Sequence, residues 1–212
     1  GSAGEAALVN TFGMEGVGVF RTELQFLADD GEPSEDALVE SYREVIDGQK
    51  GKPVAFRLLD VAAATLRVVV PQPERNPSMG CRGVRGLLSS QEVLRKQLRA
   101  ILRAAKDVQN VSVLVPFVTT LSDMQRMKAA VLEERVSLMK AKIACATNVA
   151  IAPIIEVPAA AIAVVCHFAR AGEDAKLSKD LSLAGEAAAE IQLIDSYRRK
   201  CSVDSFVNTL VR

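Results

Sequence analysis

Tryptophan is absent, and the 212-residue chain holds two tyrosines and a single histidine. A core so poor in aromatics must be filled by aliphatic side chains, and the abundant alanine and valine suit helices laid closely on a sheet. Excess charge is absent too: 26 basic residues balance 26 acidic ones. That balance excludes a strongly basic nucleic-acid binder, because phosphate recognition shows as a cationic surplus. No apolar run approaches the length of a membrane-spanning helix, about 20 residues. Cys81, Cys145, Cys166 and Cys201 are widely spaced and form no CxxC pair, which argues against a zinc knuckle or a thioredoxin motif. They read as reduced thiols of a cytoplasmic protein. The opening residues Gly1 to Gly4 lack the basic and apolar regions of a signal peptide and resemble a fusion remnant. What is present, 49% apolar residues, is ample for one core and excludes disorder.

Short apolar runs recur at Val17–Phe20, Pro53–Phe56, Val111–Val115 and Val149–Ala152, the last continuing toward Ile155. They are near-continuous rather than alternating, which predicts strands buried on both faces of a parallel sheet. Helical periodicity fills the intervals. Ser34 suits the cap of a helix through Leu38, Tyr42 and Val45. Ser90 precedes a stripe of Val93, Leu94, Leu98, Ile101 and Leu102, opposite a basic face of Arg95, Lys96, Arg99, Arg103 and Lys106 that reads as solvated. Leu121 to Ile143 and Pro158 to Ala171 complete the helical set, with Pro158 at a first-turn position. Strands alternating with helices of this length predict an α/β fold built from βαβ units. The proline-dotted connection from Ala62 to Met79 is too long for an idle loop and points to function or mobility. Beyond Ala184 the composition is helical and no further strand is legible, so a closed eight-stranded barrel would be incomplete.

Chemistry-bearing side chains cluster at the ends of these strands. Arg21 follows the first, Arg57 and Asp60 close the second, and Glu156 ends the fourth. In a parallel barrel, such positions converge on one mouth. Guanidinium groups bind phosphate or carboxylate as bidentate forks, and hard carboxylate oxygens suit Mg²⁺. The pattern therefore points to a polyanionic substrate held with a divalent metal, against the plainer reading of isolated charges and structural ion pairs.

The local wording is more specific. Gly13-Met-Glu-Gly-Val-Gly-Val-Phe-Arg-Thr-Glu-Leu-Gln-Phe26 resembles the GxEGIGLxRTExxF signature of phosphoenolpyruvate-utilising enzymes. Asn76-Pro-Ser-Met-Gly-Cys-Arg-Gly-Val-Arg85 resembles their NPxLGxRxxR segment, Arg57-Leu-Leu-Asp60 their RTxD element, and Ile155-Glu-Val-Pro-Ala-Ala160 their VETPAA element. The order matches as well. The RTE wording and the Gln97-Leu-Arg-Ala-Ile-Leu-Arg-Ala104 stretch are most similar to the enzyme I group of the bacterial sugar and nitrogen phosphotransferase systems, with the pyruvate phosphate dikinases next. The resemblance implies a (β/α)8 barrel that binds phosphoenolpyruvate and dimerises in the cytoplasm. It further implies phosphate ligands at Arg21 and Arg57, Asn76 and Arg82 at the same mouth, Glu156 on Mg²⁺, and Asp60 and Arg85 in support. Its reaction passes phosphate from phosphoenolpyruvate to a histidine of an N-terminal phosphohistidine domain and on to a small phosphocarrier protein.

Departures from the pattern shape the expectation. Asp60 is followed by Val61-Ala-Ala-Ala-Thr65 where the family has Gly-Gly-Asp-Lys, and no GTNDL element follows Glu156. The nearest match to the family's CGE motif is Ala184-Gly-Glu186, with alanine in place of the catalytic cysteine. The first barrel strand and the phosphohistidine domain have no counterpart, and the sole histidine, His167, reads as structural. The expectation is one truncated or divergent barrel domain over residues 1–212, binding its ligand weakly and turning nothing over alone. The alternatives are a catalytically degenerate binding or regulatory module and a dikinase-like domain.

Overall fold

A computed structural model describes residues 2–26, 32–62, 75–76 and 78–161, all within the unit Gly1–Ala161. Its strands are β1 (Val17–Arg21), β2 (Val54–Arg57), β3 (Val111–Val115) and β4 (Ala150–Pro153). They form one parallel sheet in sequential order β1-β2-β3-β4. The longer helices are α1 (Ala3–Thr11), α3 (Glu35–Gly48), α5 (Gln91–Ala104) and α6 (Leu121–Lys140). Two short ones, α2 (Glu23–Phe26) and α4 (Gly83–Ser89), lie beyond β1 and ahead of α5. The architecture is α/β with a four-stranded parallel sheet, the strand order of successive units in a (β/α)8 barrel. Among the described residues no helix is long and apolar enough to cross a membrane.

Local chemistry fixes the helix starts. Ser34 Oγ accepts from the Ala37 amide at 3.1 Å, as its sequence position predicts. Thr120 and Asp123 form a reciprocal capping box that starts α6, which ends at Lys140 rather than Ile143. Ser2 and Glu5 do the same for α1, a helix that the sequence reading did not anticipate; Ser2 is a working N-cap, a role worth about 1 kcal/mol. Residues 158–161 begin a helix at Pro158, and the rest of the expected Pro158–Ala171 helix lies outside the described residues. So do Cys166, His167, Ala184 and Cys201.

The strands correct one expectation. Among the described residues the two central strands are buried on one face only: β3 alternates fully buried Val111, Val113 and Val115 with half-buried Ser112 and Leu114, and β2 does the same, while β1 buries only Phe20 and β4 has no fully buried residue. The buried face joins α3, α5 and α6 in one cluster that includes Leu38, Tyr42, Leu94, Leu98, Ile101 and Leu138. Phe56 sits at its centre, 5.4 Å from the Phe20 ring and 4.9 Å from that of Tyr42. Apolar identity alone did not separate the two faces, because Ala55 and Leu114 are as compatible with a covered face as with a half-covered one.

The basic face of α5 is the second correction. Arg99 and Arg103 both reach Glu35 of α3, at 2.8 and 2.6 Å. Arg95 reaches the buried Glu134 of α6 at 2.8 Å, and Lys96 reaches Glu32 at 2.6 Å. Arg95, Arg99 and Arg103 are thus interhelical bridges and Lys96 pairs with Glu32 ahead of α3, so most of this face is not freely solvated: α5 lies between two helices that carry acids.

Candidate functional site at the strand ends

The register of β1 decides which residues meet. Val17 pairs with Val54, but Phe20 pairs with Phe56 and Arg21 with Arg57, so one extra residue is accommodated near Gly18. Side chains alternate along a strand, and a one-residue slip exchanges the faces. Without this bulge, Phe20 would lie opposite Arg57, and Arg21 would share the buried face of the core. With it, Phe20 is buried, while Arg21 is exposed at the C-terminal end of β1, level with Arg57 on β2. Arg21 makes no ion pair among the described residues.

Carboxylates already hold two of the arginines. Arg57 Nη2 donates to Glu23 Oε1 at 2.6 Å, and the same oxygen accepts from the Asp60 amide at 3.3 Å. The pair is largely buried, with side chains 15% and 12% exposed. Arg57 Nε and Glu23 Oε2 are buried without a hydrogen-bond partner among the described residues. Asp60 takes Arg82 in a fork, Nε to Oδ1 at 2.9 Å and Nη2 to Oδ2 at 2.8 Å. An antiparallel bridge between Ala62 and Arg82 brings together the two ends of the long proline-dotted connection beside this pair. Residues 63–74 and 77 of that connection lie outside the described residues.

Arg82 links these strand ends to the other half of the sheet. Its guanidinium carbon lies 4.5 Å from the centre of the Phe117 ring, a cation–π contact. The Phe117 amide donates to Glu156 Oε2 at 2.8 Å. Phe117 has φ 55°, in the left-handed region that bulky residues avoid. Gly83, next to Arg82, has φ 53°, and a Cβ there would lie 2.8 Å from Phe117 Cβ. Only glycine lets the start of α4 approach the end of β3 this closely. The hydrogen bond to Asp60 chiefly raises the pKa of Arg82, with the charges of Asp60, Glu156 and Glu23 adding and burial opposing.

Glu23, Arg57, Asp60, Arg82, Phe117 and Glu156 therefore form one continuous chain of contacts across all four strand ends, with Arg21 beside it. Asn76 lies exposed in the turn whose carbonyl accepts from the Met79 amide at 3.0 Å, and its side chain makes no hydrogen bond among the described residues. Arg85 is half-buried on α4, with Nε lacking a partner among the described residues. No cluster of three potential metal-ligating side chains occurs among the described residues. Both oxygens of Asp60 are committed to Arg82, whereas Glu156 is exposed and, among the described residues, engages only Oε2.

Sequence reasoning singled out neither Glu23 nor Phe117. Glu23 stands inside the quoted Arg-Thr-Glu wording, so the signal was present. Phe117 left no comparable trace, because its part depends on a backbone conformation.

These features define a class: a parallel α/β sheet whose C-terminal strand ends gather arginines and carboxylates at one mouth. Residues 1–173 match the family described as "PEP-utilising enzyme, PEP-binding domain", PEP being phosphoenolpyruvate, and the chain belongs to that family. It is 35% identical over 159 residues to the phosphoenolpyruvate-protein phosphotransferase of Bacillus sp. (strain S), covering 74% of this chain and 27% of that protein. The protein of the same name from Bacillus subtilis (strain 168) is 34% identical over 151 residues, 71% of this chain and 26% of the relative. The chain thus spans about a quarter of the length of these curated relatives.

Proposed function

We propose that this chain is the phosphoenolpyruvate-binding part of an enzyme I-like phosphotransferase, and that its four strands are half of a (β/α)8 barrel. Arg21 and Arg57 are the phosphate ligands in this reading. Arg82 and Asn76 border the substrate, and Asp60 and Arg85 support them. The observation that carries the reading is the pairing of Arg21 with Arg57 at one level of the sheet, beside a mouth linked through to Glu156. The Arg57 Nε proton has no acceptor among the described residues, and a phosphate oxygen would satisfy it. Arg21, which makes no ion pair among the described residues, contributes a second fork. Charge-assisted hydrogen bonds contribute about 1.5–3 kcal/mol each, which makes two arginines enough for a millimolar site.

Magnesium is held by one or two carboxylates together with substrate oxygens. Glu156, with Oε1 uncommitted among the described residues, is the group that would hold it here. The ion would supply further neutralisation of the substrate's oxygens. In the complete enzyme, phosphate would pass to the histidine of an N-terminal phosphohistidine domain and on to a small phosphocarrier protein. The reading further assigns residues 1–212 to one barrel domain of a cytoplasmic homodimer. The chain alone is expected to release no pyruvate, having Ala184 where the family has its cysteine. A binding module without turnover is the second reading, and the carboxylates already seated on Arg57 and Arg82 favour it.

Calorimetric titration with phosphoenolpyruvate tests the site. Arg57→Ala and Arg21→Ala should each weaken binding about tenfold or more, while Arg99→Ala, on the helix-bridging face of α5, should leave it unchanged. Binding untouched by both mouth substitutions would refute the assignment. Steady pyruvate release by the native chain would remove the second reading.

A further inference from the structure

Gln97 stands in the apolar stripe of α5 and is fully buried, beside Leu94, Leu98 and Ile101. Packing alone would be served by leucine or methionine there. Its carboxamide instead makes three hydrogen bonds, all to segments that lead into the mouth or back it. Oε1 accepts from the Leu59 amide at 3.0 Å. Nε2 donates to Thr22 Oγ1 at 2.7 Å and to the Tyr42 hydroxyl at 3.4 Å. Thr22, also fully buried, donates its own hydroxyl to the Arg57 carbonyl at 2.8 Å.

The placement follows the chain. Thr22 lies between Arg21 and Glu23, and Leu59 lies between Arg57 and Asp60. The sheet ladder runs out at this point: the Leu58 amide still reaches the Leu114 carbonyl at 2.9 Å, and the next amide, that of Leu59, goes to Gln97. One side chain thus ties down, from behind, the two strand ends that carry Arg21, Glu23, Arg57 and Asp60. Burial pushes the Tyr42 hydroxyl pKa up, so this neighbour stays neutral.

We propose that Gln97 is a positioning residue for the anion site: through Thr22 and Leu59 it sets the spacing of Arg21 and Arg57, so that anion affinity depends on a side chain remote from the ligand. The proposal rests on the reading of Arg57 as an anion ligand. Its consequence is specific to polarity. Methionine preserves volume but neither donates nor accepts as the amide does. Glutamate at this position lacks the donor to Thr22 while ionised and regains it on protonation, and burial favours the protonated form.

The test uses the full chain with sulfate as probe, since sulfate keeps its charge across the range. Binding is followed by calorimetry at about pH 5 and pH 8, on either side of a buried carboxyl, with cooperative unfolding checked in parallel. Glu23 and Tyr42, the titratable groups nearest this network, are present in every Gln97 variant, so each is read against the native chain at the same pH. Gln97→Met should weaken sulfate binding about tenfold at both pH values. Gln97→Glu should be weak at pH 8 and recover toward native at pH 5, a recovery that a general packing defect would not produce. Arg57→Ala should abolish binding at both. If Arg57→Ala binds normally, the site reading itself fails. If Arg57→Ala is dead while both Gln97 variants bind like the native chain, the positioning role is overturned. Should the Gln97 variants not fold, Thr22→Val and Thr22→Ser decide the matter: retention of binding by serine and loss by valine supports the relay, and equal binding by both refutes it.

Discussion

The outer face of α5 and the mouth at the strand ends use the same residue types to opposite effect. On the outer face, Arg99 and Arg103 meet Glu35, and nearby Arg43 of α3 forks onto Asp107, at the foot of α5, while reaching the Ala104 carbonyl at 3.1 Å. None of these arginines leaves a buried nitrogen unpaired among the described residues. At the mouth, Arg57 meets Glu23, yet Arg57 Nε and Glu23 Oε2 are buried and unpaired among the described residues. Phe117 there is held in a left-handed conformation, and Gly83 is pressed against it. Ion pairs alone therefore do not distinguish a bridge from a site. What distinguishes them is unsatisfied polar atoms and backbone strain, which natural structures retain mainly where a ligand or a conformational role compensates.

The largest expected effect lies in that strain. Gly83→Ala puts a methyl group into a left-handed backbone and against Phe117 Cβ, 2.8 Å away, at a cost of about 1–3 kcal/mol. Denaturant unfolding should show a lower midpoint with an unchanged slope. Because α4 must draw back from β3, Arg82 should lose its place over Phe117 and phosphoenolpyruvate binding should weaken as well. A midpoint equal to that of the native chain would mean that the close approach is slack, and the contrast with α5 would lose its strain argument.

Next in size is the competition at Arg57. Glu23→Gln removes a negative charge 2.6 Å from the guanidinium but keeps an oxygen able to accept from it and from the Asp60 amide. Phosphoenolpyruvate and sulfate should then bind roughly three- to tenfold more tightly, about 1 kcal/mol, while the matching Glu35→Gln on α3 changes neither. Calorimetry reads both. Weaker binding in Glu23→Gln would mean that the carboxylate holds Arg57 in place rather than competing for it.

Much of the fold was legible. Val111–Val115 was read to the residue and the limits of the first two strands to within one residue, because apolar runs bounded by polar turns locate strands well, whereas the fourth, carried on toward Ile155 and Glu156, ends at Pro153. Ser34 was read as a cap from its position before a periodic stripe. The site was legible only in part. Arg57, Asp60 and Glu156 follow from strand ends, but the register that sets Arg21 beside Arg57 depends on a bulge between Val17 and Phe20 that the sequence does not announce. The ion pairs of α5 were missed for a related reason: a basic face shows charge, and only the neighbouring helices show whether acids stand opposite. Gln97 was hidden in a stripe read for its apolar members, although a lone amide at a buried helical position is a signal in itself.

The smallest effect belongs to the outer face and separates it from the mouth by pH. Arg43 holds the Asp107 carboxyl below its ordinary range, chiefly through its hydrogen bond. A carboxyl whose native pKa is depressed stabilises the fold above its unfolded pKa and loses that contribution as pH falls through the native value. Asp107→Asn should therefore lower the melting temperature slightly at neutral pH, with the difference from the native chain shrinking below about pH 4. Added salt should shrink it too, because the pair is exposed and screened. Phosphoenolpyruvate affinity should be the same in both proteins throughout. A melting difference that persists in acid would assign Asp107 a role other than charge pairing, and an affinity change would mean that the two regions are coupled through α5.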